Sequence, residues 1–340
     1  MSLLIFLRQG KVMYLKYYKI KHEPFATTAD PNYLFVGETH KRALERLLAT
    51  VTKQRGITTI IGEPGLGKST LLRTLLTRLE QSVNFAWIFN TTMQPNELLK
   101  YICRDFGFAP KSDNKSDLLI ELYTFFIREY EKNCLPLIII DEAQNLTLAA
   151  LEEIRQLSNL ETVNKKLVQI ILCGQPQLDA KLDMPQMVQL KQRINCKAIL
   201  SRLTCEETVA YIQHRLAVAG AENTSLFSHM ALRKIYELSG GIPRLINQLC
   251  DDALHAGAHQ KMAQVDTSII RELVENGDVI QAPAAESKTF QPACQLQKNQ
   301  VRRKKTVQKP GTAVNLNRPR IIEKYDFFEA IDLSELLSLV

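Results

Sequence analysis

The sequence predicts an α/β protein: a parallel sheet flanked by helices, then an all-helical domain and a disordered tail. Three observations predict it. Apolar, strand-like runs alternate with helical patterns through the first 175 residues, as the strands of a doubly covered parallel sheet do. A Gly-rich turn joins the first run to a helix. After Thr204 the strand signals vanish, and helical periodicity alone continues to Asn276.

Residues 1–13 read as an N-terminal extension, with Met13 an alternative start. Its apolar stretch, Leu3–Leu7, has neither the basic lead nor the cleavage site of a secretory signal, so export is not expected. Residues 14–203 form the α/β domain, with strands expected at Ile57–Ile61, Phe85–Phe89, Leu135–Ile140 and Leu167–Cys173. A fifth run, Cys196–Leu200, closes the sheet. Ser69–Glu80 and Leu118–Glu131 carry the helical pattern between strands. The helical domain, 204–278, is expected to hold Glu206–Ala219, His229–Leu238, Arg244–Ala258 and Asp266–Asn276. Thr204 followed by Glu207 is a capping-box start for the first of these.

Residues 279–320, rich in Gln, Pro, Lys and Ala, read as a basic disordered linker. Residues 321–340 turn apolar again, with acids interleaved between side chains such as Tyr325, Phe327, Phe328, Leu336 and Leu337. This amphipathic segment either packs back on the body or docks on a partner protein's groove.

Composition narrows the class. With 45% apolar and 23% charged residues in a 340-residue chain, the protein reads as soluble and globular. No run approaches the ~18 apolar residues of a membrane span. The net charge of +7 is concentrated: residues 281–320 carry nine basic side chains and one acid, and residues 321–340 five acids and one lysine. About +3 is left for the first 280 residues, too little to mark the body as a nucleic-acid binder by charge alone. Seven dispersed cysteines read as reduced thiols of a cytoplasmic protein. His255 and His259, one helical turn apart, read as a solvated helix face because no third metal ligand accompanies them.

The chemistry concentrates in two motifs. Gly62-Glu63-Pro64-Gly65-Leu66-Gly67-Lys68-Ser69, continued by Thr70, fits a phosphate-binding loop between a strand and a helix. Its glycines let successive N–H groups face phosphate oxygens, and the new helix adds its positive end. Lys68 is then expected to reach the β- and γ-phosphates and Ser69 to ligate Mg²⁺. Leu137–Ile140 ends in Asp141 and Glu142, which puts two carboxylates at the strand edge where ligands of open parallel sheets bind. Asp141 suits Mg²⁺, and Glu142 suits polarising an attacking water. At the end of the next run, Gln175 either hydrogen-bonds the γ-phosphate or water, or serves as a turn residue.

The order of phosphate loop, Asp-Glu-Ala-Gln strand end, Gly-Gln-Pro strand end and helical domain resembles an AAA+ ATPase, a P-loop NTPase with a C-terminal helical lid. More narrowly, Tyr17–Phe35, Ile139–Leu146, Gln169–Leu178, Leu190–Ile194 and Ser239–Leu249 are similar to the general secretion pathway A (ExeA, MshM-like) family. The match covers about residues 14–275, and transposition ATPases of the TniB and TnsC type share this module. The resemblance implies ATP and Mg²⁺ as cofactors and an ATP-dependent homo-oligomer. It places Arg193 at the finger that reaches a neighbouring subunit's γ-phosphate, with Lys191 and Arg202 as competitors. It places Arg244 at the sensor arginine of the lid. It also brings the Pro24-Phe25 and Tyr33–Phe35 region towards the adenine, unless these aromatics are plain core.

Larger members continue into a membrane span and a peptidoglycan-binding domain that these residues do not contain, so cell-wall binding is not expected. The implied role is assembly or remodelling of a partner complex in secretion or type IV pilus biogenesis, peripheral to the inner membrane through a partner. Two alternatives stand beside it. One is a transposition or recruitment ATPase coating duplex DNA, with Lys100, Arg104, Lys111, Lys115 and the basic tail as phosphate contacts. The other is a nucleotide-dependent signalling switch.

Overall fold

The computed structural model describes residues 13–277 and 282, apart from 29, 36, 80, 81, 90, 163 and 164. The expected linker over 279–320, residue 282 excepted, and the amphipathic segment over 321–340 lie outside the described residues.

Five strands, β1 (Ile57–Ile61), β2 (Val83–Ile88), β3 (Leu135–Ile140), β4 (Gln169–Gly174) and β5 (Ile194–Ile199), form one sheet in the order β2-β3-β4-β1-β5. Every ladder is parallel, as the apolar runs predict. β2 starts earlier than its apolar run because Val83 and Asn84, half-buried, pair with Leu135 and Pro136. β4 starts later because the N–H of Leu167 goes instead to the carbonyl of Leu160 outside the sheet. β5 lies at an edge and alternates between buried and exposed residues, which marks one covered face.

Helices cover the sheet on both faces. Ile138, Ile140, Ile170 and Leu172 share a core with α3 (Pro95–Asp105), α4 (Lys115–Glu131) and α5 (Leu148–Leu157). The alternate residues Ile139 and Ile171 are equally buried, so the opposite face is dry as well. There α1 (Glu38–Thr52) packs on β5 and on α2 (Lys68–Arg78), burying Leu44, Leu47 and Val51 on one helical stripe. Two short helices, α6 (Pro176–Leu182) and α7 (Val188–Lys191), bridge β4 to β5.

Four further helices follow: α8 (Cys205–Val218), α9 (His229–Ser239), α10 (Pro243–His259) and α11 (Thr267–Glu275). The expected capping box opens α8, with Thr204 and Glu207 bonding each other's backbone N–H. These helices surround a second core, and the N-terminal segment enters it: Tyr14, Tyr18, Ile20 and Phe25 are buried among them. The first residues of the expected α/β domain, Tyr14 to Phe25, thus pack with the helical domain. The Tyr14 hydroxyl donates to Asp251 at 2.8 Å and its ring meets His255 edge-on at 4.5 Å. The Tyr18 hydroxyl donates to the Met262 carbonyl at 3.0 Å. His255 is thus half-buried rather than on a solvated face. Among the described residues no helix is long and apolar enough to cross a membrane, and no group of three or more His, Cys, Asp or Glu side chains is placed to hold a metal ion.

Candidate functional site

The parallel sheet sends β1, β3 and β4 out at the same edge, and each delivers one part of the site. The loop after β1 turns through Gly65 (φ +81°) and Gly67 (φ +85°), conformations that favour glycine. A Cβ on Gly65 would also lie 2.8 Å from the Cβ of Arg244. Lys68 begins α2 and is only 6% exposed. Its Nζ donates to the carbonyls of Gly62 at 2.9 Å and Glu63 at 3.1 Å, so the ammonium is parked against the loop.

Ser69 Oγ donates to Asp141 Oδ2 at 2.9 Å, joining the loop to the end of β3. The Glu142 N–H donates to Asp141 Oδ1 at 3.0 Å. Glu142 itself adopts φ +50°, a strained value for a residue with a side chain. Its Oε2 accepts from Gln175 Nε2 at 3.0 Å and from Gln144 Nε2 at 2.5 Å. Gln175 stands at the N-cap position of α6 without a side-chain cap bond, and its amide engages the Glu142 carboxylate.

The lid closes the other side. The Arg244 N–H donates to the Gly65 carbonyl at 3.2 Å, which sets the start of α10 on the loop. Between them lies a cleft of about 450 Å³ lined by Lys68, Ser69, Thr70, Glu142 and Arg244, with Tyr211, Arg215 and Asn247 opposite. A narrower recess continues beside it along Tyr33, Phe35, Leu66 and Thr70. Phe25 does not reach it: it is buried in the lid core with Phe227, ring centroids 6.3 Å apart. Of the aromatics proposed for the adenine, Tyr33 and Phe35 line this recess and Phe25 is core.

Arg193 stands apart. It precedes β5, whose first residue, Ile194, pairs with Ile57, whereas the phosphate loop follows the opposite end of β1. Its two competitors are engaged within the chain. Lys191 pairs with Asp183 at 2.6 Å, and Arg202 forks onto Glu63 of the phosphate loop. Two of the basic residues considered for DNA contacts are also paired, Lys100 with Asp113 at 2.5 Å and Lys115 with Glu153 at 2.6 Å.

Charge and burial tune the surroundings. Burial pushes His40 below the ordinary histidine range, while its Nε2 donates to the Leu66 carbonyl at 2.8 Å. Burial, reinforced by the neighbouring Asp141 charge, holds the Cys173 thiol well above its usual value and hence unreactive.

Sequence reasoning offered Arg202 only for the finger and Gln144 only as the end of the Asp-Glu-Ala-Gln stretch, and it passed over Arg215. Arg215 is buried beside the cleft, its guanidinium bonding the Pro24 and Ala26 carbonyls and the Tyr211 hydroxyl and lying 4.8 Å over the Tyr33 ring. Its one sequence signal is a place one turn after Tyr211 on the buried stripe of α8. The hard oxygens of Ser69 and Asp141 suit Mg²⁺, and the glycine loop with Lys68 suits phosphate.

Comparison with known proteins agrees with this chemistry. Residues 51–182 match the family model of the AAA domain. General secretion pathway protein A of Aeromonas hydrophila is 37% identical over 262 residues, covering 76% of this chain and 48% of the relative. The chain therefore spans about half the length of that relative. Among solved structures, the ORC2 protein of Aeropyrum pernix in its ADPNP–ADP complexes is similar with TM-score 0.57 and 18% identity, over 75% of this chain and 72% of that one. Cdc6p of Pyrobaculum aerophilum gives TM-score 0.55 and 15% identity, over 74% and 70%. Both likenesses concern the fold.

Proposed function

Because the chain is an AAA+ ATPase related to general secretion pathway protein A, we propose that it hydrolyses ATP with Mg²⁺ in the cleft between phosphate loop and lid. The observation that carries this is the convergence of Lys68, Ser69, Glu142 and Arg244 on one cleft, with Asp141 behind them hydrogen-bonded to Ser69. Lys68 leaves its loop carbonyls for the β- and γ-phosphates, and the N–H groups from Gly65 to Thr70 cradle them. Ser69 and Asp141 would hold Mg²⁺, which would supply charge neutralisation of the phosphates. Glu142 orients the attacking water and takes its proton. The water oxygen bonds to the γ-phosphorus while the bond to the bridging oxygen breaks, giving ADP and inorganic phosphate. Gln175 holds the Glu142 carboxylate, and Arg244 brings the lid's positive charge to the phosphates.

Arg193, remote from its own loop, serves the γ-phosphate of a neighbouring subunit, which makes the active form an ATP-dependent homo-oligomer. The work of that assembly is remodelling or assembling a partner complex of the secretion or type IV pilus kind. The named relative supports this reading. The chain would reach the membrane through a partner, with residues 321–340 as its docking element. The engagement of Lys100 and Lys115 in ion pairs weighs against a duplex-DNA role, and ATP-dependent DNA binding across a salt series separates the two.

The test is direct. Glu142→Gln should bind ATP and not turn it over, and Lys68→Ala should lose binding. Wild-type turnover in Glu142→Gln would overturn the assignment.

A further inference from the structure

The Glu142 carboxylate is held not only by Gln175 but by Gln144, two positions on in the same turn. Gln144 uses both ends of its amide. Nε2 donates to Glu142 Oε2 at 2.5 Å, and Oε1 accepts from the backbone N–H of Gln175 at 3.1 Å. A backbone N–H can only donate, so the oxygen end is fixed at Gln175 and the NH₂ end must face Glu142. The amide has one orientation.

Its setting is equally fixed. Lys181 Nζ donates to the carbonyls of Gln144 at 2.5 Å and Leu146 at 2.7 Å, so α6 holds the turn after β3 from outside. On the inner side a Cβ on Gly174 would come within 2.8 Å of Gln144 Oε1, so glycine there leaves room for the amide. Glu142 needs such support because its backbone sits at φ +50°, away from relaxed values. Glutamate also has three side-chain torsions, and an unheld carboxylate samples many positions.

We propose that Gln144 is a positioning residue for ATP hydrolysis, locking the Glu142 carboxylate against Gln175 so that it meets the attacking water at one place. The proposal rests on the role given to Glu142 above. Gln144 touches neither nucleotide nor metal in this scheme. It acts through Glu142 alone, and it ties the end of β3 to the end of β4, so that the carboxylate and Gln175 move together. Gln144 thereby connects Glu142 to α6, and through α6 and α7 to the segment bearing Arg193.

Two full-length variants test it. Gln144→Glu keeps the shape and replaces the donor by an acceptor; Gln144→Met keeps the length and removes both partners. Each should lower kcat at least about tenfold, as misplacement of a reacting group does. The dissociation constant of ATP, followed with a fluorescent ATP analogue, should stay within about twofold. In a Glu142→Gln background neither variant should reduce residual turnover further, because the residue acts through a group already disabled. A kcat for Gln144→Glu within twofold of wild type would overturn the proposal, as would an equal loss in the Glu142→Gln background. If Gln144→Met does not fold, the isosteric Gln144→Glu decides by itself. Failure of the underlying reading looks different: Glu142→Gln would itself turn over at the wild-type rate.

Discussion

The guanidinium of Arg202 forks onto the carboxylate of Glu63, with Nε 3.0 and 3.1 Å from the two oxygens and an Nη2 contact at 2.5 Å. This pair fastens the phosphate loop to the segment between β5 and α8. It also neutralises the one acidic side chain within the loop, beside the place where phosphates would bind. Arg202→Met should lower stability by about 1 kcal/mol in urea unfolding, as loss of a partly exposed forked pair does. It should weaken ATP binding further, since Glu63 is left as an uncompensated negative charge. Adding Glu63→Gln should recover the affinity more than the stability. An ATP affinity untouched by Arg202→Met would remove Glu63 from the electrostatics of the loop.

His40 gives a pH dependence of defined sign. Burial lowers its folded-state proton affinity below that of an unfolded histidine, near pH 6.5. As pH falls below about 6.5 the unfolded chain takes up a proton that the folded chain refuses, so stability is full above that pH and declines below it. Urea midpoints at pH 7.5 and 5.5 should therefore differ, and His40→Gln should narrow the gap. Burial also lowers His214, aided by the nearby Arg215 charge, so part of the gap should remain. An unchanged gap in His40→Gln would mean that His40 is protonated in the folded protein.

Arg193 tests the assembly. If it completes a neighbour's site, turnover per subunit should rise with protein concentration. Arg193→Ala subunits mixed with Lys68→Ala subunits should recover activity that neither has alone, because each supplies what the other lacks. A stable monomer with a concentration-independent rate would exclude a role between subunits.

The two ends of the chain should respond oppositely to change. Tyr14 is fully buried in the lid core, so Tyr14→Ala should cost about 3–5 kcal/mol, the range for large aromatic truncations. By contrast, the two cores draw their members from residues 14–273. A chain ending at Asp278 should keep its melting temperature and its turnover while losing recruitment of the partner. Loss of folding on that truncation would make residues 321–340 part of the core.

The sheet and the phosphate loop were legible because each rests on local pattern. Fully buried parallel strands such as Leu135–Ile140 leave an unbroken apolar run, and the loop's chemistry dictates glycine and lysine at fixed spacing. The partners of these residues were not legible. Nothing in Arg202 announces Glu63, 139 positions away, because ion pairs form between elements whose approach only the fold decides. The segment from Tyr14 to Phe25 falls in the expected α/β domain, yet Tyr14 meets Asp251 and His255 and Phe25 meets Phe227, over 200 residues on. Gln144 ends the Asp-Glu-Ala-Gln stretch in plain view, but its contacts depend on β4 lying beside β3, a long-range fact.

One carboxylate joins two passages of the backbone. Glu207 accepts from the Glu38 N–H at 3.1 Å and from the Thr204 N–H at 3.0 Å, at the points where the chain leaves the helical domain for the sheet and returns to it. Two covalent crossings pinned at one spot act as paired pivots. A rotation of the helical domain about an axis through Glu207 would move these two crossings least. Along such an arc the displacement grows with distance from the axis, so a small swing would carry Arg244 towards or away from Gly65 while leaving Glu38 and Thr204 nearly still.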